Sequence, residues 1–459
     1  MSSINHYINN LSSSSDDDEF IVDVDSSSSS SSTQTDYYTR ATKLLIQATP
    51  HIINHCEQQN PRRRSGYTRE YIDRKREQFV VLLDNDYFVE RPTWGAVKFR
   101  RRFRMQRPLF LRIVEALEQY DPYFQQRRDA TGRLGFTAKQ KCTSAIRQLA
   151  YGVCADMVDE YTRVSQTTGQ EALKAFCDGV VAVFGPTYMR RANAEDVRQL
   201  VEVNTSRGFF GMLGSIDCMH WEWKNCPSGW KGQFQGKNKR ATLVLEAVAS
   251  QDTWIWHAFF GVSGKLNDRT IVERSPVFDE LLRGEAPAVN FEVNGNQYDM
   301  GYYLTDGIYP MWATFVKSIK GPINPKQAKF AMRQEACRKD VERAFGVLQA
   351  RFKVIKDPSL AHTREDLARI MNCCICLHNM IVEDERHLYR NYKDVIAEFN
   401  DDAVELGIHN DELNAYTRRD SYINQMDGYL SKRADLESKE THLRLQEDMM
   451  NHVWSFNHE

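Results

Sequence analysis

Residues 211–223, GMLGSIDCMHWEW, form an apolar run with β-branched and aromatic side chains, and the carboxylate of Asp217 lies in its middle. A run of this composition that begins at a glycine predicts a buried β-strand. Burying an unpaired carboxylate costs several kcal/mol or raises its pKa until the group is neutral. Asp217 must therefore be paired with another group or have a functional role.

The chain on either side of this strand has the pattern of a mixed α/β protein. Predicted strands follow at residues 241–250, 253–264 and 302–310. Predicted helices lie at residues 271–284, 310–319 and 325–355. The apolar stripe of the longest helix consists of Val341, Phe345, Leu348 and Phe352. Strands followed by a strand–helix alternation and a long helix predict a mixed sheet with flanking helices.

The region before the strands, residues 67–200, is predicted to be helical. Thr137 is placed to cap the start of a helix that Gly152 ends, and Ser165 or Thr167 is placed to cap another. Pro108 is predicted to lie in the first turn of a further helix. Short helices with a polar turn before the last one are typical of a helix-turn-helix domain, but small helical bundles that bind no DNA share the pattern.

The two ends of the chain differ from its body. Residues 1–66 are acidic and rich in serine, and we predict a disordered tail there. The first 60 residues carry a net charge of −6 and residues 61–459 a net charge of +4, which permits a polyanionic partner. Residues 385–459 are predicted to be a polar segment followed by an amphipathic helix that docks on the body.

Composition also excludes some classes of protein. The sequence has no apolar run of the length that spans a membrane, and its start lacks the layout of a signal peptide. Its ten cysteines have no paired spacing, which favours free thiols in a reducing compartment. We therefore expect a soluble intracellular protein.

Three acids occupy positions that suit a shared site. Asp217 lies within a strand, Asp306 closes another, and Glu342 lies beside the apolar stripe of the long helix. Carboxylates at the ends of neighbouring strands, joined by one from a helix, can bind hard divalent cations. Each acid also has a simpler interpretation, since Asp306 precedes a glycine turn and Glu342 can pair with Arg338 or Arg343.

Several longer blocks of sequence carry a resemblance. They read GMLGSIDCMHWEWKNCPSGWKGQF (211–234), LEAVASQDTWIWHAFFGVSGKLND (245–268), VNGNQYDMGYYLTDGIYP (293–310), RKDVERAFGVLQARF (338–352) and CLHNMIVEDE (376–385). Residues 99–117, FRRRFRMQRPLFLRIVEAL, and 141–152, KCTSAIRQLAYG, extend the similarity toward the amino terminus. These blocks resemble the Pong-like branch of the PIF/Harbinger superfamily of transposases, from about residue 67 to the end.

The resemblance implies an RNase H-like catalytic domain over residues 201–384 with an Asp-Asp-Glu triad. By that resemblance Asp217, Asp306 and Glu342 are the catalytic residues and the ligands of two Mg²⁺ (or Mn²⁺) ions. The implied reaction is hydrolytic nicking at transposon ends, followed by attack of the freed 3′-hydroxyl on target DNA. No covalent protein–DNA intermediate is needed.

The resemblance also implies partners and a location. Double-stranded DNA is the expected substrate, a separate Myb-like protein the expected partner, and a homo-oligomer the expected form on DNA. We expect a nuclear protein that stays in the cytoplasm when the partner is missing. Two alternatives remain open: a domesticated, transposase-derived protein that binds DNA or chromatin without cutting, and a general RNase H-like nuclease.

Neighbouring candidates receive lesser roles. Asp268 is expected either to lie next to the triad acids without binding the metal ions itself or to stabilise a turn. Cys218 and His220 should share the strand face opposite Asp217, and two ligands are too few for a structural zinc site. His257 and the cysteines of residues 373–378 are expected to pack in the core.

Two basic and aromatic segments are candidate DNA-binding elements. The first consists of Lys98, Arg100, Arg101, Arg102 and Arg104. The second consists of Trp223, Lys224, Trp230, Lys231, Lys237, Lys239 and Arg240. Cations bind phosphates and aromatic rings stack on unpaired bases, although a solvated helix face and a packed cover fit the same residues.

Overall fold

The computed structural model describes residues 73–236, 238–386 and 426–455. The predicted disordered tail of residues 1–66, Lys237 and most of the polar segment after residue 386 lie outside the described residues. The described residues from Arg74 onward form one compact unit. Among the helices of the described part, none is both long and apolar enough to cross a membrane.

A five-stranded mixed sheet lies at the centre of the fold, with the strand order β3-β2-β1-β6-β7. Its strands are β1 (Met212–Glu222), β2 (Thr242–Ala249), β3 (Ile255–Ser263), β6 (Tyr302–Thr305) and β7 (Phe315–Lys317). A separate hairpin is formed by β4 (Phe291–Val293) and β5 (Asn296–Tyr298). β1, β2 and β3 run antiparallel, whereas β6 and β7 are parallel to β1.

The position of β1 explains its apolar composition. β1 is the middle strand, and residues on its two faces belong to different hydrophobic clusters. Ile216 belongs to a cluster on one face with Val248 and Phe278, and Trp221 belongs to the large core on the other. The predicted strand at residues 211–223 is thus confirmed.

Helices precede the sheet and flank it. Those before β1 are α1 (Arg76–Tyr87), α2 (Ala96–Phe103), α3 (Arg107–Tyr120), α4 (Ala138–Tyr151), α5 (Ala155–Thr162), α6 (Gln166–Tyr188) and α7 (Ala194–Ser206). Those after β1 are α8 (Lys231–Phe234), α9 (Asp268–Val272), α10 (Asp279–Arg283), α11 (Pro325–Arg338), α12 (Asp340–Arg351), α13 (Lys353–Lys356), α14 (Arg364–Glu385), α15 (Met426–Leu436) and α16 (Lys439–Ser455).

Local sequence signals set the ends of the early helices as predicted. Thr137 caps α4 through a reciprocal capping box with Gln140, and Gly152 ends the same helix with a left-handed φ of 65°. Ser165 caps α6. A turn of three residues separates α5 from α6, as in the predicted helix-turn-helix arrangement.

One hydrophobic core joins the early helices to the sheet. Phe99 of α2, Trp221 of β1 and Leu377 of α14 belong to the same cluster. Asn379 of α14 strengthens this connection, because its side chain bonds the backbone of Ile255 in β3 and the carbonyl of Tyr188. The predicted fold class, a mixed α/β sheet with flanking helices behind a helical region, is confirmed.

Other predictions need correction. Residues 310–319 are not a helix, because Phe315 and Val316 are buried in β7 beside β6. The helix predicted at 325–355 is divided at Lys339 into α11 and α12. Residues 271–284 form short turns of helix rather than one element. The predicted docking helix is α16, which packs on α11.

Candidate active site

The sheet brings Asp217 and Asp306 together. β1 and β6 are parallel, and Ser215 pairs with Leu304. Asp217 and Asp306 each lie two residues farther along, so they extend in the same direction from neighbouring strands. The Asp306 carboxylate accepts a hydrogen bond from the backbone of Ile308 at 2.9 Å, so this acid also shapes the turn that ends β6.

A helix supplies Glu342 to the same place. The backbone N–H of Val341, in the first turn of α12, donates to the Ser215 hydroxyl of β1 at 2.9 Å. This bond fixes the start of α12 across the strand that carries Asp217. Nη1 of Arg338 lies 2.8 Å from Glu342 Oε1 and 3.4 Å from Asp217 Oδ2, so both acids contact the same nitrogen.

Asp268 belongs to this group. It is buried in the first turn of α9, which Asn267 caps. Burial, together with the charges of Asp306 and Glu246, raises the pKa of Asp268 to about 6, even though the Cys218 side chain bonds it. Asp268 therefore lies close enough to the predicted triad to share its electrostatics.

Asp217 has the larger perturbation. Burial first, and then repulsion from Asp268, raises the pKa of Asp217 to about 8, against the lowering effects of the Cys218 N–H and Arg338. The Cys218 N–H donates to Asp217 Oδ1 at 2.8 Å. Acids whose pKa values are raised by burial and by neighbouring acids are typical of a functional site.

The chemistry of these acids fits a hard divalent cation. The donor atoms are all carboxylate oxygens, and their mutual repulsion is the kind that a bound cation relieves. In the side-chain arrangement of the described ranges, no three His, Cys, Asp or Glu residues form a metal-coordinating group. Instead, the Arg338 guanidinium lies between Asp217 and Glu342.

The raised pKa of Asp217 has a consequence for stability. A carboxyl group whose pKa rises on folding, here from 3.8 to about 8, stabilises the folded state at acidic pH and loses that contribution as the pH rises toward 8. Asn cannot ionise. With divalent cations chelated, we expect the stability advantage of Asp217→Asn over wild type to grow by more than about 1 kcal/mol between about pH 5 and pH 8.5.

Urea denaturation at the two pH values measures this difference. Asp268→Asn should show a smaller change in the same direction, because the pKa of Asp268 is raised less. An advantage of Asp217→Asn that is constant or shrinks with rising pH would contradict the electrostatic description of the site.

Cys218 and His220, which follow Asp217 in β1, contact other side chains of the fold. Cys218 lies opposite Glu246 in the register, and its thiol is 3.6 Å from the Tyr309 hydroxyl. His220 is exposed, with Nδ1 3.4 Å from the Thr242 hydroxyl. No metal-binding group of three or more residues includes either side chain within the described ranges.

One acid was missed by the sequence interpretation. Glu246 lies within β2 and is fully buried. His257 lies beside it, with Nε2 3.5 Å from the carboxylate and 3.0 Å from the Ser275 hydroxyl. The signal was available, because Glu246 interrupts the apolar run ATLVLEAVAS just as Asp217 interrupts its own strand.

The first basic segment is largely structural. Arg100 is buried and bonds Glu385 through two nitrogens at 2.5 and 2.8 Å. Arg104 is buried and donates to the carbonyl of Ala150, and Arg102 stacks over Trp94. Arg101 is half-buried and Lys98 is exposed, so Lys98 is the member most open to solvent.

The second segment is divided between core and surface. Trp223 is buried and donates to the carbonyl of Ala361 at 2.8 Å. Trp230 is 44% exposed and packs on Phe234. Lys224, Lys231, Lys239 and Arg240 are exposed, and Arg240 pairs with Glu222. The remaining member of the segment, Lys237, falls outside the residues that are described.

Two family models match parts of the chain. A family model described as plant transposon protein matches residues 186–389, which include all of the acids above. A second model, described as a domain of unknown function, matches residues 82–118. No solved structure matches the chain.

A curated relative extends the comparison. Protein ALP1-like from Arabidopsis thaliana is 24% identical to this chain over 155 residues, which are 32% of this chain and 37% of that protein. The match thus spans little more than a third of the relative's length. Residues 186–389 are thus similar to the plant transposon protein family, in agreement with the resemblance to PIF/Harbinger transposases.

Proposed function

We propose that the chain is a metal-dependent DNA endonuclease and strand transferase that acts on transposon ends. The observation that carries this proposal is the adjacency of Asp217 and Asp306 on parallel strands, with Glu342 presented by a helix that is bonded to β1. The match of residues 186–389 to the model of a transposon protein family supports the same reaction class.

The three acids have distinct roles in the proposed mechanism. Asp217 and Asp306 are short side chains on rigid strands, so they set the geometry of the site. Glu342 is longer and reaches the site from α12. Two Mg²⁺ (or Mn²⁺) ions held by these carboxylates would supply activation of water and stabilisation of the attacking and leaving oxygens. Asp268 supports the acids without being a proposed ligand.

The DNA would lie over the exposed residues that follow β1. Lys224, Lys231 and Lys239 provide cations for phosphates, and Trp230 provides an exposed ring on which a base can stack. Transposon ends and target DNA are the proposed substrates. The Myb-like partner, a homo-oligomer on DNA and action in the nucleus belong to the same proposal.

A second candidate is a DNA-binding protein of transposase descent that does not cut. The observation that favours it is Arg338, whose guanidinium contacts two of the three predicted ligands. A cation fixed permanently at that position would leave the acids paired and inactive.

Nicking of a supercoiled plasmid separates the two candidates. The plasmid carries the genomic DNA that flanks the coding sequence, and the Myb-like partner is supplied. The nuclease proposal expects nicking that requires Mg²⁺ and stops with a chelator. Binding of the plasmid without nicking, in either Mg²⁺ or Mn²⁺, would favour the second candidate.

A further inference from the structure

Arg338 has an unusual position for an arginine beside predicted metal ligands. It is the last residue of α11, its side chain is 10% exposed, and one residue separates it from α12, which carries Glu342. Nη1 contacts Asp217 and Glu342, while Nη2 contacts Glu335 Oε2 at 3.1 Å. The guanidinium therefore connects three carboxylates, two of which are predicted ligands.

The contacts of Arg338 differ from those of a permanent buried ion pair. Arg100 bonds Glu385 through two nitrogens in parallel, which is the strongest geometry for an arginine and a carboxylate. Arg338 instead shares Nη1 between two acids, and its Nε is buried without a hydrogen-bond partner in the described part of the chain. Such single contacts are weaker and more easily exchanged.

A second position is available to the same side chain. Glu335 lies one turn earlier on α11, and its side chain is 40% exposed. A guanidinium that leaves Asp217 and Glu342 can keep its contact with Glu335 and gain water. The existing contact between Arg338 Nη2 and Glu335 Oε2 would anchor the guanidinium during such a move.

We propose that Arg338 holds the cation position between Asp217 and Glu342 when divalent ions are absent, and moves toward Glu335 when they bind. The inference rests on the proposed function and adds a regulatory step to it. The arginine offsets the repulsion between the two acids while no metal is bound, and it makes metal binding competitive. Loading of the site would then require a higher divalent ion concentration than the acids alone would require.

Titration of the full chain with Mn²⁺, followed by the electron paramagnetic resonance signal of the free ion, tests this competition. Arg338→Gln should bind Mn²⁺ about tenfold more tightly than wild type, because the ion no longer meets a fixed positive charge. Arg207→Gln is the matched control. Arg207 pairs with Asp340 of α12 at 2.7 Å and contacts none of the predicted ligands, so its loss should leave Mn²⁺ affinity within about twofold.

The outcomes separate this inference from the proposed function. Equal or weaker binding by Arg338→Gln, when wild type binds Mn²⁺, overturns the inference alone. Failure of both proteins to bind millimolar Mn²⁺ overturns the proposed function together with the inference. Binding by Arg338→Gln at concentrations where wild type binds none supports both.

A measurement on the wild-type chain tests the movement of Arg338 without relying on a variant that folds poorly. Phenylglyoxal reacts with accessible guanidinium groups, and peptide mass spectrometry reports each site. Modification of Arg338 should accelerate severalfold when Mn²⁺ is added, whereas the doubly bonded Arg100 should stay protected. Modification of Arg338 that is unchanged or slowed by Mn²⁺ would overturn the proposed movement.

Discussion

Alanine at Asp217, Asp306 or Glu342 is expected to lower Mg²⁺-dependent nicking of DNA by roughly a hundredfold to a thousandfold, the loss typical of removing one group that stabilises transition-state charge. Each change deletes a carboxylate that lies beside the others but leaves the backbone that carries it. Nicking of the supercoiled plasmid described above, with the partner supplied, gives the rate.

Two variants serve as controls for this loss. Asp268→Asn should retain more activity than any triad variant, because the proposed role of Asp268 is to support the ligands rather than to bind the ions. Glu365→Gln removes an exposed acid in the first turn of α14 and should keep most of the rate. Equal activity in wild type and the three alanine variants would reject the catalytic assignment. An Asp268→Asn rate as low as theirs would mean that Asp268 is itself a ligand.

The largest effect on folding is expected at Glu385. This carboxylate is buried at the end of α14, where it bonds Arg100 of α2 and lies 3.3 Å from Arg351 of α12. Alanine at this position leaves two buried guanidinium groups without their shared acid. Removing one member of such a buried group costs about 3–5 kcal/mol, so we expect Glu385→Ala to lower the free energy of unfolding by that amount.

Urea denaturation followed by circular dichroism measures this loss. Glu365→Ala is the control, because Glu365 is an exposed acid in the first turn of the same helix, and its removal should cost less than about 1 kcal/mol. A loss at Glu385 no larger than the loss at Glu365 would show that the buried arginines find other partners.

The sheet and its acids were predictable because their signals are local. An acid in an apolar strand, as at Asp217, can be recognised within a window of ten residues. The signal at Asp306, a strand that ends in an acid and a glycine, fits within an equally short window. The caps at Thr137 and Gly152 follow from backbone hydrogen bonding that no distant contact overrides.

The errors arose where distant packing decides the structure. Trp312, Phe315, Val316 and Ile319 recur at helical spacing, yet residues 315–317 complete the sheet because β6 offers an unpaired edge. A one-dimensional pattern cannot show that edge.

The first basic segment shows that distant packing also decides which residues of a predicted DNA-binding site are accessible. Arg100 and Arg104 look like phosphate ligands in sequence, and burial of Arg100 depends on Glu385, which lies 285 residues away. Glu246 was detectable by the rule that identified Asp217. Its role beside His257 follows only from the register of β2 and β3.

The most direct test of the shared acid site is a crystal structure of the chain with Mn²⁺, located by anomalous scattering. We predict manganese peaks in coordination distance of Asp217 and Asp306, with Glu342 completing one coordination shell and Arg338 turned toward Glu335. Manganese bound elsewhere, or no manganese between these acids at millimolar concentration, would contradict the account.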